Sequence, residues 1–80
     1  MKKKLIALVT GSNKGIGKAI ADKFEKQDIC VIRNGTTESN NKNYIKADIG
    51  EKSDVERIKE YIINRFTGLD ILVNNAAYTK

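Results

Sequence analysis

The sequence predicts an α/β fold, with a parallel sheet and helices packed on its faces. Two observations carry this. Short apolar runs alternate with longer stretches whose apolar residues recur at helical spacing. The runs are continuous in polarity, as strands covered on both faces require. A third observation is the stretch from Leu5 to Gly17, which passes from an apolar run through a glycine-studded turn into a helical pattern. That order presents bare backbone N–H groups at a helix start, an arrangement suited to a phosphate.

Taken in order, Leu5–Thr10 is the first strand. A helix runs from Gly15 to about Lys26, with Ile16, Ala19, Ile20 and Phe24 on one face and Lys18, Asp22, Glu25 and Lys26 largely elsewhere. Ile29–Ile32 is the second strand. Residues 34–43 are polar without a helical stripe, and Tyr44–Ala47 is a third short strand. Parallel neighbours need a crossover of about a dozen residues. This connection is close to that minimum, so an irregular loop is expected in place of a helix. A hairpin through Asn34-Gly35 is the alternative, and it leaves Thr36 to Asn43 without a role.

Asp48-Ile49-Gly50 ends the third strand. Ser53-Asp54-Val55-Glu56 has capping-box form, with Ser53 accepting from the N–H of Glu56. Val55, Ile58, Ile62 and Phe66 make the buried stripe of a second helix, and Gly68 sits where its C-terminus favours a left-handed residue. Ile71–Val73 is the fourth strand, running into Asn74-Asn75-Ala76-Ala77. The expected strand order is 3-2-1-4, which leaves the fourth strand as an exposed edge with apolar neighbours. A doubly wound sheet has two halves, and four strands only open the second. Residues 1–80 are therefore expected to be the N-terminal part of one domain in a longer protein.

Composition narrows the function classes. The 80 residues are 31% charged and 40% hydrophobic, which suits a globular chain. The apolar run Leu5–Val9 is too short to span a membrane, and after Lys2–Lys4 it leads into a glycine turn and not a cleavage pattern. A cytoplasmic location is the expectation, with no membrane partner. The single Cys30 reads as a small core residue in a reducing compartment, and the absence of histidine removes the commonest metal ligand. No metal site is expected. The net charge is +5, but the basic residues are scattered and the aromatics are three Tyr and two Phe. A nucleic-acid partner is not expected from that pattern.

Spacing decides what the glycine turn is. A P-loop starting at Gly11 needs a glycine where Ile16 stands, and Lys18 is followed by Ala19, which has no hydroxyl for magnesium. The G-x-G-x-x-G pattern fails at Asn13. What is present is Thr-Gly-x-x-x-Gly-Ile-Gly, Thr10 to Gly17. This resembles the cofactor fingerprint of the short-chain dehydrogenase/reductase family. Asp48-Ile49 resembles the family's adenine-side pair after strand three, and Asn74-Asn75-Ala76-Ala77 its Asn-Asn-Ala-Gly motif, with Ala77 departing from the glycine. The wording of residues 8–17 and 70–77 is most similar to the 3-oxoacyl reductase branch. The missing helix after strand two is more like the trimmed sugar and polyol dehydrogenases.

The resemblance implies a Rossmann-type fold and the cofactor half of an NAD(P)-dependent oxidoreductase that interconverts carbonyl and alcohol by hydride transfer. It implies a small carbonyl or alcohol substrate and a homo-oligomer for the full-length protein. Cofactor contacts would come from Gly11, Ser12, Asn13, Lys14, Gly15, Ile16 and Gly17 in the turn. Arg33, Asn34 and Thr36 would follow strand two, Asp48 and Ile49 strand three, and Asn75 and Ala76 strand four. Gly11 allows the sharp exit from the strand, and Gly15 and Gly17 leave room for the dinucleotide. The position where the family's NAD users carry Asp is Gly35, and no acid lies between Ile29 and Thr37. Lys14, Arg33 and Thr36 offer donors for a 2′-phosphate, so NADP is expected, with NAD the alternative. The family's catalytic Tyr-x-x-x-Lys is absent: Tyr44 is followed four places on by Asp48, and Tyr61 by Arg65. No catalytic residue is assigned, and the chain alone is expected to be inactive. A truncated, non-catalytic dinucleotide-binding fragment is the alternative function.

Overall fold

The computed structural model describes residues 4–75. Its elements are β1 (Ile6–Val9), α1 (Gly15–Lys26), β2 (Cys30–Gly35), β3 (Tyr44–Lys46), α2 (Lys52–Arg65) and β4 (Ile71–Val73). The strands form one parallel sheet in the order β3-β2-β1-β4. This is the expected α/β architecture, and residues 36–43 join β2 to β3 without a helix.

Both faces of the sheet are covered along its centre, which explains the unbroken apolar runs. Ile6, Leu8, Ile32, Ile45 and Ala47 pack with Ile58 of α2, flanked by Tyr61, Ile62 and Phe66. On the other face Val9 and Val31 meet Ala21 of α1, flanked by Ile20 and Phe24. Ile32 and Val9 are fully buried, and each stabilises the fold by roughly 2 kcal/mol. β4 is an edge strand, and its Leu72 is 59% exposed.

The structure corrects four local expectations. β2 continues past Ile32 to Gly35, because β3 pairs only with Arg33, Asn34 and Gly35. In α1 the sheet-facing side is Ile20, Ala21 and Phe24, while Ile16 is 73% exposed. Gly17, and not Ile16, turns toward the strand exit. Ser53 does not cap α2: the N-cap is Glu51, and no side chain bonds there. Finally, α2 stops at Arg65 with Phe66 in extended geometry, so Gly68 lies beyond the cap.

Candidate functional site

The chain leaves β1 toward β2 and β3 on one side and returns to β4 on the other. The carboxyl ends of β1 and β4 therefore flank a point where strand order reverses, the usual ligand crevice of an open α/β sheet. An open groove of about 480 Å³ runs from there across the carboxyl ends of β2 and β3.

The glycine turn forms one wall. Gly11 and Gly15 have φ of +61° and +64°, a left-handed geometry that favours glycine. They turn the chain out of β1 and into α1. Gly17 is required for a different reason: a Cβ there would collide with the Gly11 carbonyl oxygen and the Asn75 side chain. Asn75 Nδ2 donates to that carbonyl at 3.2 Å, and the Asn75 N–H donates to Thr10 Oγ1 at 3.0 Å. The segment after β4 is thus tied to the turn after β1. The first N–H groups of α1 have no intrahelical acceptor, and its first turn carries no acid. The helix end therefore keeps its partial positive charge for an anion.

The opposite wall is the segment after β3. The Asp48 N–H donates to Asp54 Oδ2 at 2.8 Å, and the Asp48 carboxylate accepts from the Gly50 N–H at 2.9 Å. The bond from the Asp48 N–H, aided by Arg57, holds the Asp54 carboxyl below its ordinary range. Asp48 and Ile49 both line the groove.

Between the walls lies the end of β2. Asn13 Nδ2 donates to Thr37 Oγ1 at 3.1 Å and to the Tyr44 hydroxyl at 3.0 Å. The Tyr44 hydroxyl in turn donates to the Thr37 carbonyl. Asn13 consequently lies across Gly35, where a Cβ would run into its amide and the Tyr44 hydroxyl. Lys14 is exposed on the groove and makes no ion pair among the described residues.

Of the residues expected at the site, Gly11, Asn13, Lys14 and Asn34 come together on the lining, with Thr36, Asp48, Ile49 and Asn75. Ser12 is fully buried beneath the turn and bonds Asn34. Gly15, Ile16 and Gly17 begin α1 beside the groove. Ala76 lies outside the described residues. Arg33 is placed elsewhere. Its strand position turns it toward α1, where its guanidinium meets Asp22 at 2.6 Å and Glu25 at 2.9 Å, with the side chain 7% exposed. Those two carboxylates are one helical turn apart and capture it, and the bond from Arg33 holds the Asp22 carboxyl low. Arg33 is therefore a structural cation, not a donor on the groove. Sequence reasoning passed over Gly35, Thr37 and Ala47 as lining residues. Gly35 stands where the family resemblance puts an NAD user's acid, but nothing local in the sequence shows Asn13 lying over it.

The donors and the space fit a dinucleotide. The missing Cβ at Gly17 lets the start of α1 close on the Gly11 carbonyl and Asn75, and that α1 terminus suits a pyrophosphate. Among the described residues no group of His, Cys, Asp or Glu could hold a metal, and no helix is long and apolar enough to cross a membrane.

A family model described as short chain dehydrogenase matches residues 5–80. The 3-oxoacyl-[acyl-carrier-protein] reductase of Haemophilus influenzae is 40% identical over 86 residues, covering 94% of this chain and 35% of the reductase. Menthone neomenthol reductase from Mentha piperita has a similar structure, with a TM-score of 0.86 and 28% identity over 96% of this chain and 33% of that one. Aldohexose dehydrogenase from Thermoplasma acidophilum gives 0.84 and 28%, over 98% and 32%. The chain spans about a third of the length of the curated relatives it matches.

Proposed function

The chain belongs to the short-chain dehydrogenase family, and from that membership we propose that it is the cofactor-docking portion of an NAD(P)-dependent oxidoreductase that prefers NADP over NAD. A nicotinamide dinucleotide, when bound, supplies or accepts a hydride in carbonyl–alcohol interconversion. This chain's own residues bind and orient it. The α1 terminus and the turn from Gly11 to Gly17 receive the pyrophosphate. Asp48 offers an acceptor, and Ile49 a backbone N–H, to the adenine.

The observation that carries the NADP preference is the end of β2. No acid stands at the end of β2 to hold a ribose 2′-hydroxyl: position 35 is Gly35, and the Asn13 amide and the Tyr44 hydroxyl lie where its Cβ would project. Lys14, Thr36 and Thr37 line the groove there, and they offer an ammonium and two hydroxyls to a 2′-phosphate. Arg33, held by α1, contributes nothing to that choice.

No catalytic group is assigned within these residues. Tyr61 has an arginine four places on, and Arg65 lies 4.8 Å over its ring on α2. The pair is a packing contact, and in this reading residues 4–75 bind without supplying the proton donor. A small carbonyl or alcohol substrate, a cytoplasmic setting and a homo-oligomeric whole protein belong to the same reading, supported by the family resemblance and the lone Cys30.

Titration of the purified chain with NADPH and NADH by calorimetry tests the proposal. Lys14→Ala is expected to weaken NADPH about tenfold, the worth of one charge-assisted contact, and to leave NADH nearly unchanged. Equal weakening of both cofactors refutes the preference. A folded chain that binds neither refutes the docking role.

A further inference from the structure

Asn34 is 1% exposed, yet every polar atom of its side chain has a partner on a different segment. Its Oδ1 accepts from the Gly11 N–H at 3.4 Å. Its Nδ2 donates to the Ile45 carbonyl at 3.0 Å and the Ala47 carbonyl at 3.1 Å. Its main chain is clasped by Ser12, whose N–H donates to the Asn34 carbonyl at 2.8 Å and whose Oγ accepts the Asn34 N–H at 2.9 Å. One buried side chain thus joins the glycine turn to the end of β3, immediately before Asp48.

We infer that Asn34 is a positioning residue that sets the distance between the two walls of the groove. It thereby matches the pyrophosphate-facing turn to the adenine-facing segment before any ligand arrives. This rests on the dinucleotide reading above. An amide is the side chain that can do this. Two carbonyls demand an N–H₂ and one N–H demands an oxygen, which only Asn offers at this length. Aspartate would turn a carboxylate on two carbonyl oxygens, and leucine would remove the acceptor of the Gly11 N–H and the donor to both carbonyls. Without the tie, the walls must be ordered by the ligand itself, and ligands that touch both walls lose the benefit of preorganisation.

The test compares a ligand spanning both walls with one touching a single wall. Wild type, Asn34→Ala and Asn34→Asp are titrated with NADPH and with adenosine, well below the melting temperature of each variant. Amide hydrogen exchange is measured on the same chains without ligand. NADPH is expected to weaken about tenfold or more in both variants while adenosine changes by less than about threefold. Gly11 is expected to exchange faster in Asn34→Ala, which removes its acceptor, and Ala47 in Asn34→Asp, whose carboxylate faces the β3 carbonyls, with exchange at β1 changing less. A uniform loss for NADPH and adenosine, tracking only lower stability, overturns the inference. So does wild-type exchange at Gly11 in Asn34→Ala together with wild-type exchange at Ala47 in Asn34→Asp.

If wild type itself binds no dinucleotide, the docking role fails. The exchange arm still decides whether Asn34 ties the walls. A variant too unstable to titrate is read by the exchange of the other.

Discussion

Replacing Arg33 by alanine separates two roles that the sequence alone left joined. If Arg33 were a phosphate ligand, the variant would keep its stability and lose affinity for NADPH. The geometry assigns it to the fold. Its guanidinium reaches Asp22 at 2.6 Å and Glu25 at 2.9 Å, and its own side chain is 7% exposed. Charge-assisted bonds of this kind are worth about 1.5–3 kcal/mol each when dry. Both carboxylates are more than two-fifths exposed, so solvent screening cuts that figure steeply. The buried aliphatic stem adds packing that alanine loses. A net loss of about 2 kcal/mol follows, or about 10 °C in melting temperature for a domain this small.

The assay is thermal unfolding followed by circular dichroism, beside NADPH titration of the folded variant. The acid limb supplies a second check. Arg33 depresses the Asp22 carboxyl below its ordinary value of 3.8. A depressed carboxylate stabilises the fold above its unfolded value, and that share fades as pH falls through the lower native value. The gap between wild type and Arg33→Ala is therefore constant from neutrality down to about pH 4 and narrows below that. An unchanged melting temperature with NADPH binding selectively lost would refute the structural assignment and return Arg33 to the groove.

Two further substitutions probe the walls. Gly17→Ala drives a methyl into the Gly11 carbonyl and the Asn75 side chain, so it is expected to cost about 1–3 kcal/mol and to abolish detectable dinucleotide binding. Gly15→Ala meets no atom but keeps a left-handed φ, so it is expected to cost about 1–2 kcal/mol and retain binding. Calorimetry on both variants, with thermal melts, distinguishes collision from backbone strain, and equal behaviour would contradict the geometry. Asp54→Ala removes the acceptor of the Asp48 N–H, so that amide is expected to exchange faster with solvent while Ile58 stays protected. Asp54 is also held low by that bond, so its contribution to stability is present at neutral pH and fades in acid. A wild-type Asp48 exchange rate in the variant would show that the bond does not form.

What the sequence made legible was what repeats along it. The bounds of α1, the strand at Ile71–Val73 and the helix-free connection follow from apolar spacing and glycine placement, which are local signals, while the strand order follows from the doubly wound pattern those elements fit. The second half of β2 was not legible, because Arg33 and Asn34 look like the start of a polar loop. They are buried only because partners arrive from elsewhere in the chain: carboxylates from α1 for Arg33, and Ser12 with the β3 carbonyls for Asn34. The capping box failed for the same reason. Ser53 and Glu56 have the right spacing, but the chain reverses earlier, through Asp48 and Glu51, whose backbone N–H donates to the Asp48 carbonyl. Asp54 is then drawn back to the Asp48 N–H. A pattern four residues long carries no record of that pull.

The groove also shows a division of labour in its chemistry. The ties that hold its walls are amides: Asn13 to Thr37 and Tyr44, Asn34 to Gly11 and β3, and Asn75 to Gly11. Each donates through its Nδ2 without net charge, and Asn34 also accepts through its Oδ1. Had carboxylates made these ties, their field would have opposed any phosphate entering between them. The paired carboxylates near this face belong to other contacts, with Asp22 and Glu25 held by Arg33, and Asp54 by Arg57 and the Asp48 N–H. Asp48 is the one acid among the described lining residues, on the wall opposite the α1 terminus. The electrostatics of the glycine-turn wall are therefore left to that helix end and to Lys14. On that logic, charge placed among the ties is more damaging than lost volume, and Asn34→Asp should weaken NADPH more than Asn34→Ala does.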